Sequence, residues 1–292
     1  MQPLNCNVAS TNIKGFTLVE LVTVIIVLGI VSVGISGFIR SGMGIYNDVT
    51  ERDQILSESR FLVERVNRDL RIAVPNSARI ANSGSGLSSI QCLEFVPITW
   101  VTHYTELAIL PSTSTSANVV QISDDTGKFI LNPGSDFALV YPTSNEAVYN
   151  TSEPLEIKRQ VITACSDDGA NSDCTTGDSS NNLATLTLAG AFADDSPARR
   201  LYIVREAVSY CVRNKQIYRH TDTINAVQTV YSTGGSLMAE NLVNDLSDPE
   251  QQVFRVIPPT LARNGLINLL LTFEKNEEIV NYSNEVHIPN VP

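Results

Sequence analysis

The pattern of hydrophobic and polar positions divides the chain into three stretches, of which the first is the most apolar. Residues 16–39 form a run of 24 residues in which Glu20 is the one ionisable side chain. An α-helix of that length spans about 36 Å, which is enough to cross the hydrocarbon core of a bilayer, about 30 Å thick. The run therefore predicts a membrane-length helix with a carboxylate close to its first residue.

The second stretch, residues 46–74, is amphipathic. Small and apolar side chains recur at every third or fourth position, as on one face of a helix. The residues of this face are Ile55, Ser59, Leu62, Val66, Leu70 and Ala73. Charged side chains, Asp69 among them, fill the other faces. Pro75 should end the helix, because proline disfavours the α conformation of the residue before it. One long helix is thus predicted over residues 16–74.

The third stretch alternates segments rich in β-branched and aromatic residues with turns rich in Gly, Pro, Asn and Asp, which is typical of strands. Residues 82–89 predict a flexible linker before it. The predicted strands are residues 90–98, 106–110, 118–122, 137–141, 155–164, 183–188, 201–213, 216–220, 266–273 and 279–286. Hairpins are predicted around Asn214-Lys215 and residues 275–276. The whole pattern predicts an α+β fold, in which a long N-terminal helix packs its amphipathic half on an antiparallel, β-rich globular domain.

Composition narrows the functions that this architecture serves. The formal net charge is −11 and the pI is about 4.7, which disfavours binding to nucleic acid or a polybasic grip on anionic lipid. His103, His220 and His287 lie far apart, in no spacing typical of metal ligands. The sequence contains no recognised hydrolase, phosphate-loop or redox motif. We predict a protein that is not an enzyme, with no catalytic residues, no cofactor and no metal; the alternative is a membrane-tethered hydrolase with scattered active-site residues.

A short motif heads the apolar run. A polar leader ends in Lys14, and the string KGFTLVE occupies residues 14–20. This string resembles the class III signal of the type IV prepilin family, which includes the pilins of type IV pili and the pseudopilins of type II secretion. The resemblance implies a pilin-like fold and cleavage between Gly15 and Phe16 by a prepilin peptidase. The same enzyme acts as a methyltransferase in that family, so the resemblance implies N-methylphenylalanine at Phe16.

Two other interpretations of the apolar run are available. A cleaved secretory signal has an apolar region of about 7–15 residues and a small-x-small cleavage site, and residues 16–39 are too long for it. A plain single-span anchor accounts for the length of the run but leaves Glu20 unexplained. The prepilin resemblance accounts for both features.

The position of Glu20 has a physical rationale. A carboxylate at the middle of a membrane costs about 2.5–3.5 kcal/mol on insertion scales. Glu20 would lie only about 6 Å along the helix from an N-terminus at Phe16, whose amine is cationic near neutral pH. The resemblance implies that Glu20 pairs with the terminal amine of an adjacent subunit and so sets the register between subunits. The alternative is that its side chain reaches the lipid headgroups.

Three glycines, Gly29, Gly34 and Gly37, interrupt the apolar run. Glycine lets helix backbones approach each other closely in a membrane or in an assembly. The resemblance implies that these residues help the helices pack in a filament. The alternative is compositional, because membrane helices are commonly rich in glycine.

The resemblance also implies a domain order and a location. Residues 1–15 would be the leader peptide, 16–39 the transmembrane and filament-core helix, 40–75 its amphipathic continuation and 76–292 a periplasmic β-rich domain. Lys14 is the one charge of the leader, which favours a cytoplasmic leader. The protein would cross the bacterial inner membrane once and enter a pilus after assembly. Its implied partners are the prepilin peptidase/methyltransferase, other minor and major pilins, the inner-membrane assembly platform and the membrane, with no nucleic acid.

The cysteine count predicts disulfides. If Cys6 leaves with the leader, four cysteines remain, and an even number in an exported domain favours two bridges. Three connectivities exist. Cys165 and Cys174 flank a short polar loop and are the nearest pair in sequence, which leaves Cys92 with Cys211. The alternative is free, buried thiols.

The loop between Cys165 and Cys174 is rich in oxygen ligands. It contains Asp167, Asp168, Asn171 and Asp173, side chains of the kind that bind Ca²⁺, and some pseudopilins bind Ca²⁺ in such loops. The loop has neither the Asp-x-Asp-x-Asp-Gly register nor a bidentate Glu at the usual place. A solvated acidic loop is therefore the preferred interpretation, with calcium binding as the alternative.

Size and the C-terminal region refine the resemblance. The chain has 292 residues, more than typical major pilins, which favours a minor subunit. Residues 254–269 and 285–292 resemble a minor pilin of the mannose-sensitive haemagglutinin (MSHA) pilus system. The implied function is a non-catalytic subunit that primes or caps assembly of a filament used in surface attachment. The alternatives are a minor pseudopilin of a type II secretion system, a tip adhesin and a membrane-anchored periplasmic enzyme.

Overall fold

The computed structural model describes residues 15–86, 89–121, 131–150, 157–167, 180–259, 263–275 and 278–288. They form two compact units with a boundary between Asp53 and Gln54. The long helix α1, Leu18–Arg71, contributes residues 18–53 to the first unit and residues 54–71 to the second. The second unit also contains the strands of the described chain. The predicted α+β architecture, a long N-terminal apolar helix followed by an antiparallel β-rich domain, is confirmed.

In the first unit, α1 exposes apolar side chains on all sides. Leu18, Val33 and Phe38 are 80%, 75% and 80% exposed, and no residue in the most apolar window of the helix is buried. A helix that is apolar all round needs an apolar environment, such as a bilayer or the interior of an assembly. Within the described chain, α1 is the helix long and apolar enough to cross a membrane.

In the second unit, α1 buries one face. The buried residues of the helix are Ile55, Ser59, Leu62, Val63, Val66, Asp69 and Leu70. The predicted apolar face is therefore confirmed, but the prediction that Asp69 faces water is wrong. Asp69 is only 7% exposed, because side chains from α1 and from the sheet beneath it surround its carboxylate.

The strands of the described chain pair only with antiparallel neighbours. In chain order they are β1 Arg79–Ser83, β2 Ile90–Phe95, β3 Ile98–Leu107, β4 Ser116–Val120, β5 Phe137–Val140, β6 Arg159–Asp167, β7 Leu183–Leu188, β8 Arg200–Val204, β9 Ala207–Arg213, β10 Gln216–Asp222, β11 Ser236–Ala239, β12 Phe254–Ile257, β13 Gly265–Lys275 and β14 Glu278–Ile288. A one-turn helix, α2 Asn145–Tyr149, lies between β5 and β6.

These strands form three groups. A five-stranded sheet has the order β1-β2-β9-β10-β11, a three-stranded sheet has the order β12-β13-β14, and β3-β4-β7-β6-β5-β8 close into a barrel. One hydrophobic core joins the buried face of α1 to both sheets and includes Leu62, Tyr210 and Phe273. A separate core fills the barrel around Ile162 and Phe192.

Most strand predictions differ from the structure at their ends, but residues 99–105 of β3 were not predicted as a strand, and the predicted strand 106–110 overlaps only the last two residues of β3. The predicted segment 90–98 is two strands, because Pro97 lacks the N–H that a continuous ladder needs. The predicted segment 201–213 is also two strands, β8 and β9. The predicted linker at 82–89 overlaps the end of β1, and β1, β11, β12 and α2 were not predicted. The hairpin at Asn214-Lys215 is confirmed: both residues have positive φ, 50° and 63°, as a type I′ turn requires.

Candidate functional site

The motif at the start of α1 forms a helix cap. Thr17 directly precedes the helix, and its Oγ1 accepts a hydrogen bond from the backbone N–H of Glu20 at 3.3 Å. The carbonyl of Thr17 accepts from the N–H groups of Glu20 and Leu21 at 3.1 and 3.2 Å. A Thr followed three residues later by Glu is the capping-box spacing. This function of Thr17 was not predicted from the sequence, although the spacing alone would have indicated it.

The cap places Glu20 in the first turn of α1, where the side chain is exposed. The N-terminal end of a helix carries partial positive charge, which stabilises a nearby carboxylate. Thr17 therefore fixes the backbone at Glu20, while the carboxylate stays accessible from outside the helix. A carboxylate held in this way can accept a cationic partner from another molecule.

The four glycines of the predicted site have no packing partner among the described residues. A Cβ added at Gly15, Gly29, Gly34 or Gly37 would meet no atom within 4 Å. Gly15 and Phe16 lie before α1, and Phe16 is 78% exposed. Contacts within the described part of the chain therefore do not explain why these positions carry glycine.

Comparison with known proteins identifies a family motif in the N-terminal segment of the chain. Residues 10–36 match the family model described as "Prokaryotic N-terminal methylation motif". The chain carries a prokaryotic N-terminal methylation motif. The matched range contains Gly15, Phe16 and Glu20 together with Gly29 and Gly34, and it supports a type IV pilin-like family. Comparisons with curated proteins and with solved structures give no match.

The methylation motif also has implications for processing, assembly and membrane anchoring. It implies processing by a prepilin peptidase and assembly with other pilins, and together with the apolar half of α1 it supports membrane anchoring. Pilin-like proteins are in general non-catalytic structural subunits.

The second unit holds α1 through a buried ionic cluster centred on Asp69. The hydroxyl of Tyr210, on β9, donates to Asp69 Oδ2 at 2.9 Å, and Arg219 Nε, on β10, donates to the same oxygen at 3.0 Å. Arg65 Nε lies 3.3 Å from Asp69 Oδ1, one helical turn away. Burial, and then the charge of Asp69, raise the pKa of the Tyr210 hydroxyl. The cluster fixes the position of the helix along the five-stranded sheet.

Two other buried carboxylates, Asp136 and Glu94, are also paired with arginines. Asp136 accepts hydrogen bonds from Arg205 at 2.6 and 3.1 Å. Glu94 accepts from Arg79 Nε at 2.8 Å, and burial nevertheless raises the pKa of Glu94. The Arg79 guanidinium also lies 3.5 Å from the centre of the Tyr149 ring. These contacts join separate segments of the second unit, which is a structural function.

Two of the cysteines predicted to form disulfides are bonded to each other in the structure. Cys92 on β2 and Cys211 on β9 face each other directly in the ladder and form a disulfide, with their Cα atoms 4.1 Å apart. Cys165 on β6 is also disulfide-bonded, but Cys174 lies outside the described residues. The pairing of Cys165 with Cys174 stays a prediction.

The calcium alternative rests largely on residues that the structure does not describe. Asp167, at the end of β6, accepts a hydrogen bond from Gln121 Nε2 at 2.9 Å. Asp168, Asn171 and Asp173 lie outside the described residues. Within the described ranges, no three His, Cys, Asp or Glu side chains form a group able to hold a metal ion.

The Cys92–Cys211 disulfide is expected to stabilise the second unit. Replacing both cysteines by alanine should lower the free energy of unfolding by about 2–4 kcal/mol, because the bond links residues 119 positions apart. Urea unfolding of the full chain in detergent micelles, followed by circular dichroism, measures this loss. The difference from the wild-type protein should disappear in a thiol reductant, and an undiminished difference would contradict this explanation.

Proposed function

We propose that the chain is a minor pilin of a type IV pilus of the MSHA type, most like the minor pilin MshO, and that it primes or caps the filament without catalysing a reaction. The observation that carries the proposal is the combination of the methylation motif with a helix that is apolar and exposed on all sides. Such a helix needs a lipid or protein environment in both of its working states. The resemblance of residues 254–269 and 285–292 to MshO supports the finer assignment.

In this proposal the peptidase cuts between Gly15 and Phe16 and methylates Phe16. Residues 16–39 then span the inner membrane, residues 40–75 continue the helix and residues 76–292 form the periplasmic domain. After extraction the apolar helix lies in the filament, where Gly29, Gly34 and Gly37 allow close contact with neighbouring helices. The absence of any packing partner for these glycines among the residues that the structure describes supports a function in contacts between chains.

Glu20 has a different environment in each of the two states. In the membrane its carboxylate lies among lipid, at a cost of about 2.5–3.5 kcal/mol at the bilayer centre and less near the surface. In the filament it pairs with the terminal amine of an adjacent subunit, an attraction that strengthens where water is scarce. The difference favours assembly and fixes the register of the subunits. The cap by Thr17, which leaves the Glu20 carboxylate accessible, supports this function.

Processing is the direct test of the proposal. Mass spectrometry of the protein from cells that contain the peptidase should give an N-terminus at Phe16 that carries one methyl group. A Gly15→Leu variant, in which a branched side chain stands beside the scissile bond, should keep its leader, whereas Gly29→Leu should be processed normally. An N-terminus at Met1 in the wild-type protein would refute the proposal.

A minor pseudopilin of a type II secretion system is the second candidate, because the methylation motif is common to both classes. Deletion of the gene distinguishes them by phenotype. Loss of surface pili with normal secretion supports the pilin, and loss of secreted enzymes with normal pili supports the pseudopilin.

A further inference from the structure

The strand β14 forms one edge of the three-stranded sheet, whose order is β12-β13-β14. It has 11 residues and pairs with β13 along its whole length, without a register shift. Its sequence, EIVNYSNEVHI, contains no proline, glycine, lysine or arginine. Proline, lysine, bulges and short length are features by which proteins commonly block the free edge of a sheet. The strand β14 is thus a long, regular edge that lacks these features.

The other edges of the described sheets differ from β14. The barrel is closed, and closure removes edges. The five-stranded sheet ends in β1 and β11, which have only five and four residues, and the pairing of β11 contains a register shift. At the opposite edge of the three-stranded sheet, the side chain of Gln91 bonds to the backbone of Phe254 in β12. Among the described strands, β14 is therefore the longest free edge.

The hydrogen bonds of β13 show which backbone groups of β14 point outward. The N–H of Leu270 donates to the carbonyl of Val253, and the carbonyl of Thr272 accepts from Val243, both on the side of β13 where β12 lies. Even-numbered residues of β13 therefore point away from β14, and odd-numbered ones bond to even-numbered partners in β14. The N–H and C=O groups of the other β14 residues face the free edge; these residues are Ile279, Asn281, Ser283, Glu285 and His287.

Packing on α1 holds β14 in place. Val286 and Ile288 are buried in the core that includes α1, and Asn284 Nδ2 donates to Asn67 Oδ1, on the helix, at 2.7 Å. The side chains of the five outward-pointing residues lie on the opposite face of the strand and are exposed. An added strand could therefore pair with β14 without loss of its packing on α1.

The charges of β14 restrict the partner. Glu278 and Glu285 are exposed carboxylates of this strand. Opposite charges on directly facing strands stabilise a sheet, whereas like charges destabilise it. A second copy of the chain offers no matching cation on its described edge strands: β11 and β14 contain no lysine or arginine, and Arg79 of β1 and Arg255 of β12 pair with carboxylates of their own chain. The complementary strand should therefore belong to a different protein.

We propose that β14 binds an extended segment of a different pilin subunit, which adds a fourth strand to the three-stranded sheet and places a lysine or arginine beside Glu285. The location of the partner in a filament rests on the function proposed above; its extended backbone and its charge rest on β14. In strand addition, backbone hydrogen bonds give affinity, and the facing side chains give specificity.

A photocrosslinking experiment on the full-length chain tests the proposal. Asn281 is replaced by the photoreactive residue p-benzoylphenylalanine in cells that assemble the filament, and the crosslinked residue is mapped by mass spectrometry. It should lie in a different pilin subunit, close to a Lys or Arg. Ser283→Pro removes an outward N–H at a position where a sheet tolerates proline, and it should reduce the crosslink about tenfold. Ser283→Thr keeps the N–H and should leave the crosslink unchanged.

Charge variants test the chemistry of the partner without altering the backbone of β14. Glu278→Lys/Glu285→Lys should reduce the crosslink several-fold, and replacing the mapped basic residue of the partner by Glu should restore it. Glu106→Lys/Glu206→Lys makes the same change in net charge at exposed positions outside β14 and should leave the crosslink unchanged. Circular dichroism checks the fold of each variant, and the charge variants decide the question if Ser283→Pro does not fold.

Several outcomes would overturn the inference. These are a crosslink to phospholipid alone, a crosslink to β14 of a second copy, an undiminished crosslink in folded Ser283→Pro, an equal loss in the two charge-reversed variants, or no crosslink in cells where Phe16 is methylated. The last outcome leaves the proposed function intact. An unprocessed N-terminus instead overturns the proposed function and, with it, the filament partner.

Discussion

Replacing Glu20 by alanine is expected to leave cleavage and methylation at Phe16 intact and to reduce assembled filaments by at least about tenfold. In the proposed function, the substitution removes a carboxylate that is costly in lipid and paired in the filament, so it should stabilise the membrane state and destabilise the assembled state. Both changes shift the equilibrium of the subunit from the filament towards the membrane. A combined shift of only about 1.4 kcal/mol already corresponds to the tenfold loss.

Two further variants separate the charge of Glu20 from its place in the helix cap. Glu20→Gln keeps a residue that suits the third position of a capping box but removes the charge. Thr17→Val removes the Oγ1 that accepts from the N–H of Glu20 but keeps the carboxylate. We expect Glu20→Gln to fail as Glu20→Ala does, and Thr17→Val to assemble at a level near that of the wild-type protein.

The measurement compares filaments with the membrane pool. Pili sheared from cells that produce each variant are quantified against the membrane fraction by immunoblotting, and mass spectrometry gives each mature N-terminus. The N-terminal analysis ensures that a variant with a processing defect is not scored as an assembly defect. Normal assembly of Glu20→Gln would refute the proposed function of the carboxylate.

Local patterns account for the parts of the fold that could be predicted from sequence. The helix and the methylation motif are each contained in one continuous segment, and the apolar run or the 3–4 spacing indicates them directly. The hairpin at Asn214-Lys215 is equally local, because its turn type is set by the two residues that form it.

The missed strand β12 shows what sequence alone does not contain. The side chain of Gln91 donates to the carbonyl of Phe254 at 3.1 Å and accepts from its N–H at 2.9 Å. A side chain 163 positions away thus completes the hydrogen bonding of this short strand. No pattern within residues 254–257 indicates such a partner, so four residues beside two prolines did not predict a strand.

The burial of Asp69 was not predicted for a related reason. It lies three residues after Val66, so the helical spacing does put it beside the buried face. A carboxylate is nevertheless assigned to water unless partners are known, and here Tyr210 and Arg219 follow 141 and 150 residues later. The candidate site at Glu20 could be predicted without knowledge of distant partners, because the motif that indicates it is local.

Replacing Asp69 by alanine is expected to lower the free energy of unfolding of the second unit by about 2–4 kcal/mol. Removing one partner of a buried ion pair typically costs about 3–5 kcal/mol, because the other partner loses its counter-charge. The side chains of Arg65 and Arg219 are 34% and 22% exposed, so water compensates in part and the expected loss is smaller. Urea unfolding of the full chain in micelles, followed by circular dichroism, measures it.

Neighbouring substitutions decide whether the loss comes from the buried cluster. Glu64→Ala removes an exposed carboxylate from the same helix and should change stability by no more than about 0.5 kcal/mol. Asp69→Asn keeps an acceptor for the Tyr210 hydroxyl but loses the charge, and should fall between wild type and Asp69→Ala.

A double-mutant cycle with Tyr210→Phe then measures the coupling across the interface between helix and sheet. In the Asp69→Ala background the Tyr210 hydroxyl is buried without its acceptor, so removing it should cost less there than in the wild-type protein, by about 0.5–3 kcal/mol. Additive losses would mean that the two side chains act independently. Asp69 would then stabilise the unit through its arginines alone, and the hydroxyl would not help to fix α1 on the sheet.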